Sequence, residues 1–176
     1  EPEKGLSAIH MASEIISRLP QGRLDEETTF NIGTIEGGSV RNAVPENTIL
    51  TGEFRSRNLE TLDSLRLQIS EATEEVGNLF PEAAIKSHLH TEFETYTLTE
   101  DDLATKRVIN VLDILGMSPT LRPSGGGTDG NIFRTKGISA VVVGMADHGM
   151  HTVREYVTIP DLVDAAHLCE TLLRSD

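Results

Sequence analysis

The apolar residues of this chain recur at helical spacing in some stretches and at alternate or consecutive positions in others, and each change of period marks a new element. Leu6, Ile9, Ala12, Ile16 and Leu19 lie three or four apart until Pro20 and Gly22 stop the pattern, which predicts an amphipathic helix over 6–19. The segments TTFNIGTIEGG and TILTGEFRSR, rich in β-branched and aromatic residues, flank the connection SVRNAVPEN and predict two antiparallel strands joined by a long loop. Leu59, Leu62, Leu65, Ile69, Ala72, Val76 and Leu79 then return to helical spacing as far as Pro81. Beyond it Ile85, Leu89 and Phe93 alternate with polar residues, as in a half-buried strand. The order helix, strand, strand, helix, strand lacks only a leading strand to form the split β-α-β-β-α-β sandwich, a ferredoxin-like α/β sandwich.

A second unit opens at Thr99, where TEDD supplies an N-cap and first-turn carboxylates for a helix whose buried stripe is Ala104, Val108, Val111, Leu112 and Leu115. Gly116 ends it. A short strand at 119–122 leads into a glycine loop, and a helical turn begins near Gly130. The unalternating run Ile138 to Val143 predicts a strand covered on both faces. A last helix starts at Thr158, with Pro160 and Asp161 in its first turn, and runs to about Leu173. These elements form part of a doubly wound α/β domain, whose other strands are expected upstream or in another chain. The opening EPEKGLSAI, without a start methionine, fits a chain cut from something longer.

Composition narrows the classes. A chain of 176 residues, 38% hydrophobic, holds one medium domain or two small ones. Its 28 acidic against 15 basic residues give a net charge of -13, which disfavours a nucleic-acid partner and suits a small substrate or a metal cation. No apolar run reaches membrane-spanning length and no signal-peptide core is present, so a cytoplasmic protein is expected. Cys169 falls in the pattern Leu162, Ala165, Cys169, Leu172 and reads as a small core residue.

The chemistry concentrates between Arg122 and Glu155. In RPSGGGTDGN, glycines let backbone N–H groups converge on an oxygen-rich ligand. As a phosphate cradle the loop lacks a following lysine and places Asp129 where a phosphate would be repelled. A cradle for a polarised carbonyl and a plain strand-to-helix turn both remain open. After the apolar run come His148 and then His151 and Glu155, at H-x-x-x-E spacing. A neutral imidazole past a strand end suits a divalent metal, but spacing alone favours a loop histidine that merely hydrogen-bonds, and His148 competes for the role. His88, His90 and Glu92 alternate onto one polar, solvated strand face, and His10 sits beside an apolar helix face. Both read as structural. In the hairpin Asn42 occupies the loop, while Arg55 and Arg57 share one strand face, and the planar fork of arginine suits a carboxylate.

Four segments in order, PEKGLSAI, GTIEGGSVRNAVPE, SGGGTDGN and HTVRE, resemble the zinc-dependent exopeptidase and amidohydrolase family that includes peptidase T (tripeptidase), carboxypeptidase G and succinyl-diaminopimelate desuccinylase. The PEKG opening and GGTDG loop look closest to the peptidase T-like branch. The resemblance implies a two-domain enzyme with two zinc ions. Residues 1–95 would form most of a lid or dimerisation domain, with a homodimer through that lid, and 96–176 the C-terminal part of the catalytic domain. It implies His151 as a metal ligand, with His148 as a neighbour. Arg55 would grip a substrate carboxylate, Asn42 a substrate carbonyl, and the backbone of Gly126 and Gly127 would line the pocket. It places the other metal ligands and the general base upstream, so these residues alone are expected to be inactive. The implied activity is hydrolysis of short peptides by a zinc-activated water. A deacylase of N-acyl amino acids, or a non-catalytic small-ligand or dimerisation module, are the alternatives.

Overall fold

The computed structural model describes residues 1–144 and 146–175 and divides into two compact units, Glu1–His90 and Thr91–Asp176.

In the first unit a single 3-10 turn, Pro2–Lys4, precedes helix α1 (Ala8–Arg18), strands β1 (Gly22–Arg23), β2 (Thr29–Gly37) and β3 (Thr48–Arg55), and helix α2 (Leu59–Leu79). Local chemistry sets the helix starts: the Ser7 hydroxyl accepts from the His10 N–H, and the Asn58 carbonyl oxygen accepts from the N–H groups of Glu60 and Thr61, satisfying donors that have no partner within the helix. The strands form an antiparallel sheet in the order β1-β2-β3. The β2–β3 ladder runs from Thr29 opposite Arg55 to Gly37 opposite Thr48, with an irregularity between Ile32 and Thr34. Gly52 serves this close crossing, because a Cβ there would lie 2.5 Å from the Asn31 carbonyl oxygen. Leu19, Phe30, Leu65 and Ala72 make the core, with Ile15, Ile32, Phe54 and Ile69 packed against it. Both helices therefore cover the sheet, an α+β arrangement. His10 sets its ring edge-on to Phe80 at 5.6 Å, a packing role.

The strand expected at 85–93 does not form. Leu89 and Phe93 are exposed, and the segment has no ladder partner among the described residues. Alternation says which face a strand would bury, but the strand exists only when its N–H and C=O groups find a neighbour. His88, His90 and Glu92 accordingly lie exposed in irregular chain, not on a sheet face.

The second unit contains α3 (Leu103–Ile114), α4 (Asp129–Thr135), the two-residue strands β4 (Asp147–His148) and β5 (Tyr156–Val157), and α5 (Ile159–Arg174). Helix α3 packs against α5, burying Val111 and Leu168. Arg107 donates to the carbonyls of Leu172 (2.8 Å) and Ser175 (2.6 Å), placing a cation on the C-terminal end of α5. Cys169 is exposed and Leu162 with it, against the expected core stripe. Helix α5 is apolar on more than one face, so periodicity does not choose among them, and α3 covers the face that carries Leu168. The strands expected at 119–122 and 138–143 are irregular, and Ile138 and Val142 are half exposed. A strand also needs a paired neighbour, and no strand flanks this run among the described residues. Among the described residues, no helix is long and apolar enough to cross a membrane.

The cap of α3 is Asp102, not Thr99. Its carboxylate accepts from the Ala104 N–H (3.1 Å), from Arg134 Nη1 (2.9 Å) and from the Ser139 hydroxyl (3.2 Å), joining α3, α4 and the 138–143 run. The Arg134 guanidinium beside it holds the Asp102 carboxyl below its ordinary value. A depressed folded-state value means that this stabilisation is complete above the ordinary 3.8 and is lost as the pH falls through the lower folded value. Asp102→Asn keeps a capping oxygen but not the charge. The variant should be less stable than the parent near neutrality, and the two urea midpoints should converge on acidification. Parallel curves at every pH would remove the charge from this account.

Candidate active-site residues

The expected site residues divide between the units. In the first, Arg55 ends β3, half exposed, with Nη2 2.8 Å from Glu53 Oε2. Asn42 is exposed in the 38–47 loop, which is tied to the start of α1 by the Ala8 N–H donating to the Pro45 carbonyl (2.9 Å). The ladder separates them. The loop hangs from the Gly37–Thr48 end and Arg55 from the Thr29 end, and the seven steps from Thr48 to Arg55 rise about 23 Å at ~3.3 Å each. Arg55 and the loop that carries Asn42 thus stand at opposite ends of one hairpin.

In the second unit the glycine loop is a strapped turn into α4. The Thr128 hydroxyl accepts from the Gly130 N–H (3.2 Å), the Asn131 side chain accepts from the Thr128 N–H (2.9 Å), and Asn131 Nδ2 donates to the Glu94 carbonyl (2.8 Å). The Gly126 N–H is taken by the Ser124 hydroxyl at 3.2 Å, so Gly126 offers no free donor, whereas the Gly127 N–H has no partner among the described residues. Gly127 has a packing reason as well, since a Cβ there would run into the Phe93 ring. Gly127→Ala should therefore displace the loop or the ring and destabilise the unit by about 1–3 kcal/mol, the usual range for overpacking. A urea midpoint equal to the parent's would show that Phe93 yields freely.

The hairpin β4–β5 carries His151 at its tip. Asp147 pairs with Val157 and His148 with Tyr156. The His148 ring stacks on Tyr156 with centroids 4.9 Å apart, and its Nε2 lies 2.9 Å from Asp161 Oδ2. The Thr158 hydroxyl also donates to Asp161 Oδ2 (2.6 Å), and it and His148 together hold the Asp161 carboxyl below its ordinary range. His148 is thus engaged in fastening the hairpin to the first turn of α5. His151 differs. Its φ is +63°, a left-handed conformation that histidine tolerates better than most residues, at a cost of order 1–3 kcal/mol. Its backbone N–H donates to Glu155 Oε2 at 2.8 Å, while its ring is exposed and without a partner among the described residues. A free imidazole on a locked loop fits a divalent metal through either nitrogen. It is one ligand only: no group of three or more His, Cys, Asp or Glu side chains converges to hold an ion among the described residues.

Sequence reading missed Asp102, Asn131 and the His148–Asp161 contact. Thr128 followed three residues later by Asn131 is a capping-box spacing that could have revealed the second.

The first unit thus sets two helices on an antiparallel sheet, and the second holds an exposed histidine on a bonded loop and a capped glycine turn. Several known proteins resemble this chain. Residues 1–78 match the family described as the peptidase dimerisation domain. The chain is 32% identical to the uncharacterised YqjE of Bacillus subtilis, covering 98% of this chain and 46% of that one. It is 26% identical to a succinyl-diaminopimelate desuccinylase of Alkalilimnicola ehrlichii, over 98% of this chain and 47% of that one. Its structure matches a tripeptidase of Staphylococcus aureus with a TM-score of 0.78 and 30% identity, over 98% of this chain and 46% of that one. The chain thus resembles a tripeptidase and a desuccinylase over nearly its whole length, and its residues 1–78 match a peptidase dimerisation domain. It spans about half the length of the relatives it matches.

Proposed function

We propose that these residues form the lid and the C-terminal part of the catalytic domain of a metal-dependent exopeptidase that hydrolyses short peptides, in the manner of a tripeptidase. The observation that carries this is the unpartnered His151 ring on its locked loop, in a chain that matches a tripeptidase structure over nearly its whole length. Two zinc ions would serve the complete site, with His151 holding one of them. When bound, zinc would supply Lewis-acid chemistry, polarising a carbonyl and lowering the pKa of a water. The chain's own residues bind and orient: Arg55 takes a substrate carboxylate through its planar fork, the Gly127 N–H faces the carbonyl region, and Asn42 hydrogen-bonds a carbonyl oxygen. Desuccinylase relatives favour a second reading on the same site, removal of an acyl group from an N-acyl amino acid. Tripeptides assayed against N-acyl amino acids separate the two, because pocket contacts and not the metal set that choice.

A homodimer through the lid reconciles Asn42 with Arg55. The ladder keeps them too far apart for one short peptide within one hairpin, so each pocket would take Arg55 from one protomer and Asn42 from the other. Arg55→Ala should lower kcat/KM tenfold or more, since a hydrogen bond to a charged group is worth about 1.5–3 kcal/mol, and Asn42→Ala should lower it severalfold, since a neutral one is worth about 0.5–1.5 kcal/mol. Unfolded together and refolded as a mixture, the two variants should regain a substantial share of activity, because half of the sites in a mixed dimer are intact. A mixture no better than its parts would place both residues in one protomer's site.

A further inference from the structure

The Glu155 side chain does not project beside the His151 ring as a companion ligand would: it folds back and accepts from the His151 backbone N–H at 2.8 Å. The loop that it closes is otherwise held by short local bonds. The Thr152 N–H and hydroxyl both donate to the Gly149 carbonyl (3.2 and 2.7 Å), the Arg154 N–H donates to the Thr152 hydroxyl (3.1 Å), and the Glu155 N–H donates to the Thr152 carbonyl (3.1 Å). Gly149, at φ +68°, supplies the entry to the turn. None of these bonds involves His151 itself. At that residue, in a left-handed conformation that an isolated chain disfavours, the carboxylate is the one side chain holding the backbone among the described residues. A charge-assisted bond to a backbone N–H is about twice as strong as a neutral one, and it suits a residue that must be held in place.

We propose that Glu155 is a positioning residue: by accepting from the His151 N–H it fixes the left-handed backbone that turns the His151 imidazole outward, and it is not itself a metal ligand. The geometric lock stands on the loop alone, while its consequence for zinc rests on the reading of His151 as a ligand. The H-x-x-x-E spacing thereby acquires a physical reason. Four residues let a glutamate at the foot of the hairpin reach the N–H of the residue at its tip.

The test uses the full-length protein with Glu155→Ala and Glu155→Gln, nitrogen-labelled at histidine, and reads two quantities. Amide exchange at the His151 N–H, measured by NMR, reports the lock. Competition between the protein and a chromophoric chelator for zinc alone reports the imidazole. Glu155→Ala should speed His151 amide exchange about tenfold or more and weaken zinc binding about 10- to 100-fold, the usual cost of losing a partner that orients a ligand. Glu155→Gln retains an acceptor oxygen and should keep both within about threefold. Its retention separates positioning from ligation, since an amide is a poor substitute for a coordinating carboxylate. Exchange unchanged in Glu155→Ala overturns the lock. Loss of zinc in Glu155→Gln as complete as in His151→Ala, with the amide still protected, overturns positioning in favour of direct ligation. A parent protein that binds no zinc sinks the metal reading, and the exchange comparison then decides the lock by itself.

Discussion

Replacing His151 by alanine in the full-length protein should abolish metal-dependent peptide hydrolysis, lowering kcat/KM by well over a hundredfold. The floor follows from the fact that losing an outer partner of a metal ligand already costs 10- to 100-fold in affinity or activity, and a ligand itself contributes more. The structure also supplies a control. The His151 ring is exposed, with no hydrogen-bond, ion-pair or ring partner among the described residues, and its φ of +63° is strained for any side chain. His151→Gly should therefore lose activity as fully as His151→Ala while unfolding no more easily than the parent, because glycine occupies the left-handed region without penalty. Loss of activity together with loss of thermal stability in the glycine variant would make His151 structural. Activity retained with metal bound would remove it from the site.

The second large effect lies in the lid. Phe30 is 3% exposed, stacks on Phe54 with ring centroids 5.8 Å apart, and packs among Leu19, Leu65 and Ala72. It joins the sheet to both helices. Phe30→Ala removes the ring and leaves a void that the neighbours only partly fill, which costs about 3–5 kcal/mol. Domains are stable by only about 5–15 kcal/mol, so the first unit should unfold at a much lower urea concentration. Ile35→Ala, on the same strand but half exposed, should change the midpoint little, within about 0.5 kcal/mol. Equal effects from the two would mean that the core is elsewhere.

What could be read in the sequence, and what could not, follows from the range of the interactions. Helices α1, α2 and α5 carry their own signals: Ser7, Asn58 and Thr158 cap them, and Pro20, Pro81 and Pro160 punctuate them. The β2–β3 hairpin announced itself by two β-branched runs around a loop rich in turn residues. Strands at 85–93, 119–122 and 138–143 were misread, because an apolar pattern describes the faces of a strand and not the neighbours that make it one. The cap of α3 was misplaced by three residues, since Thr99, Asp101 and Asp102 all suit a cap, and the choice fell to Asp102, which Arg134 and Ser139 also bind. His151 and Glu155 were visible as a spacing, but spacing does not say whether a carboxylate meets a side chain or a backbone N–H. Arg55 and Asn42 were visible as chemistry. Their separation became evident only from the ladder register.

The most direct measurement of the central claim is hydrolysis by the full-length protein before chelation, after it, and after zinc is restored, on tripeptides and on N-acyl amino acids in parallel. The proposed metal-dependent exopeptidase predicts that chelation removes cleavage, that zinc restores it, and that tripeptides are the better substrates. Faster cleavage of the acyl amino acids would move the protein to the desuccinylase branch with the same site. Cleavage that survives complete chelation, or no cleavage of either class with zinc bound, would contradict the account.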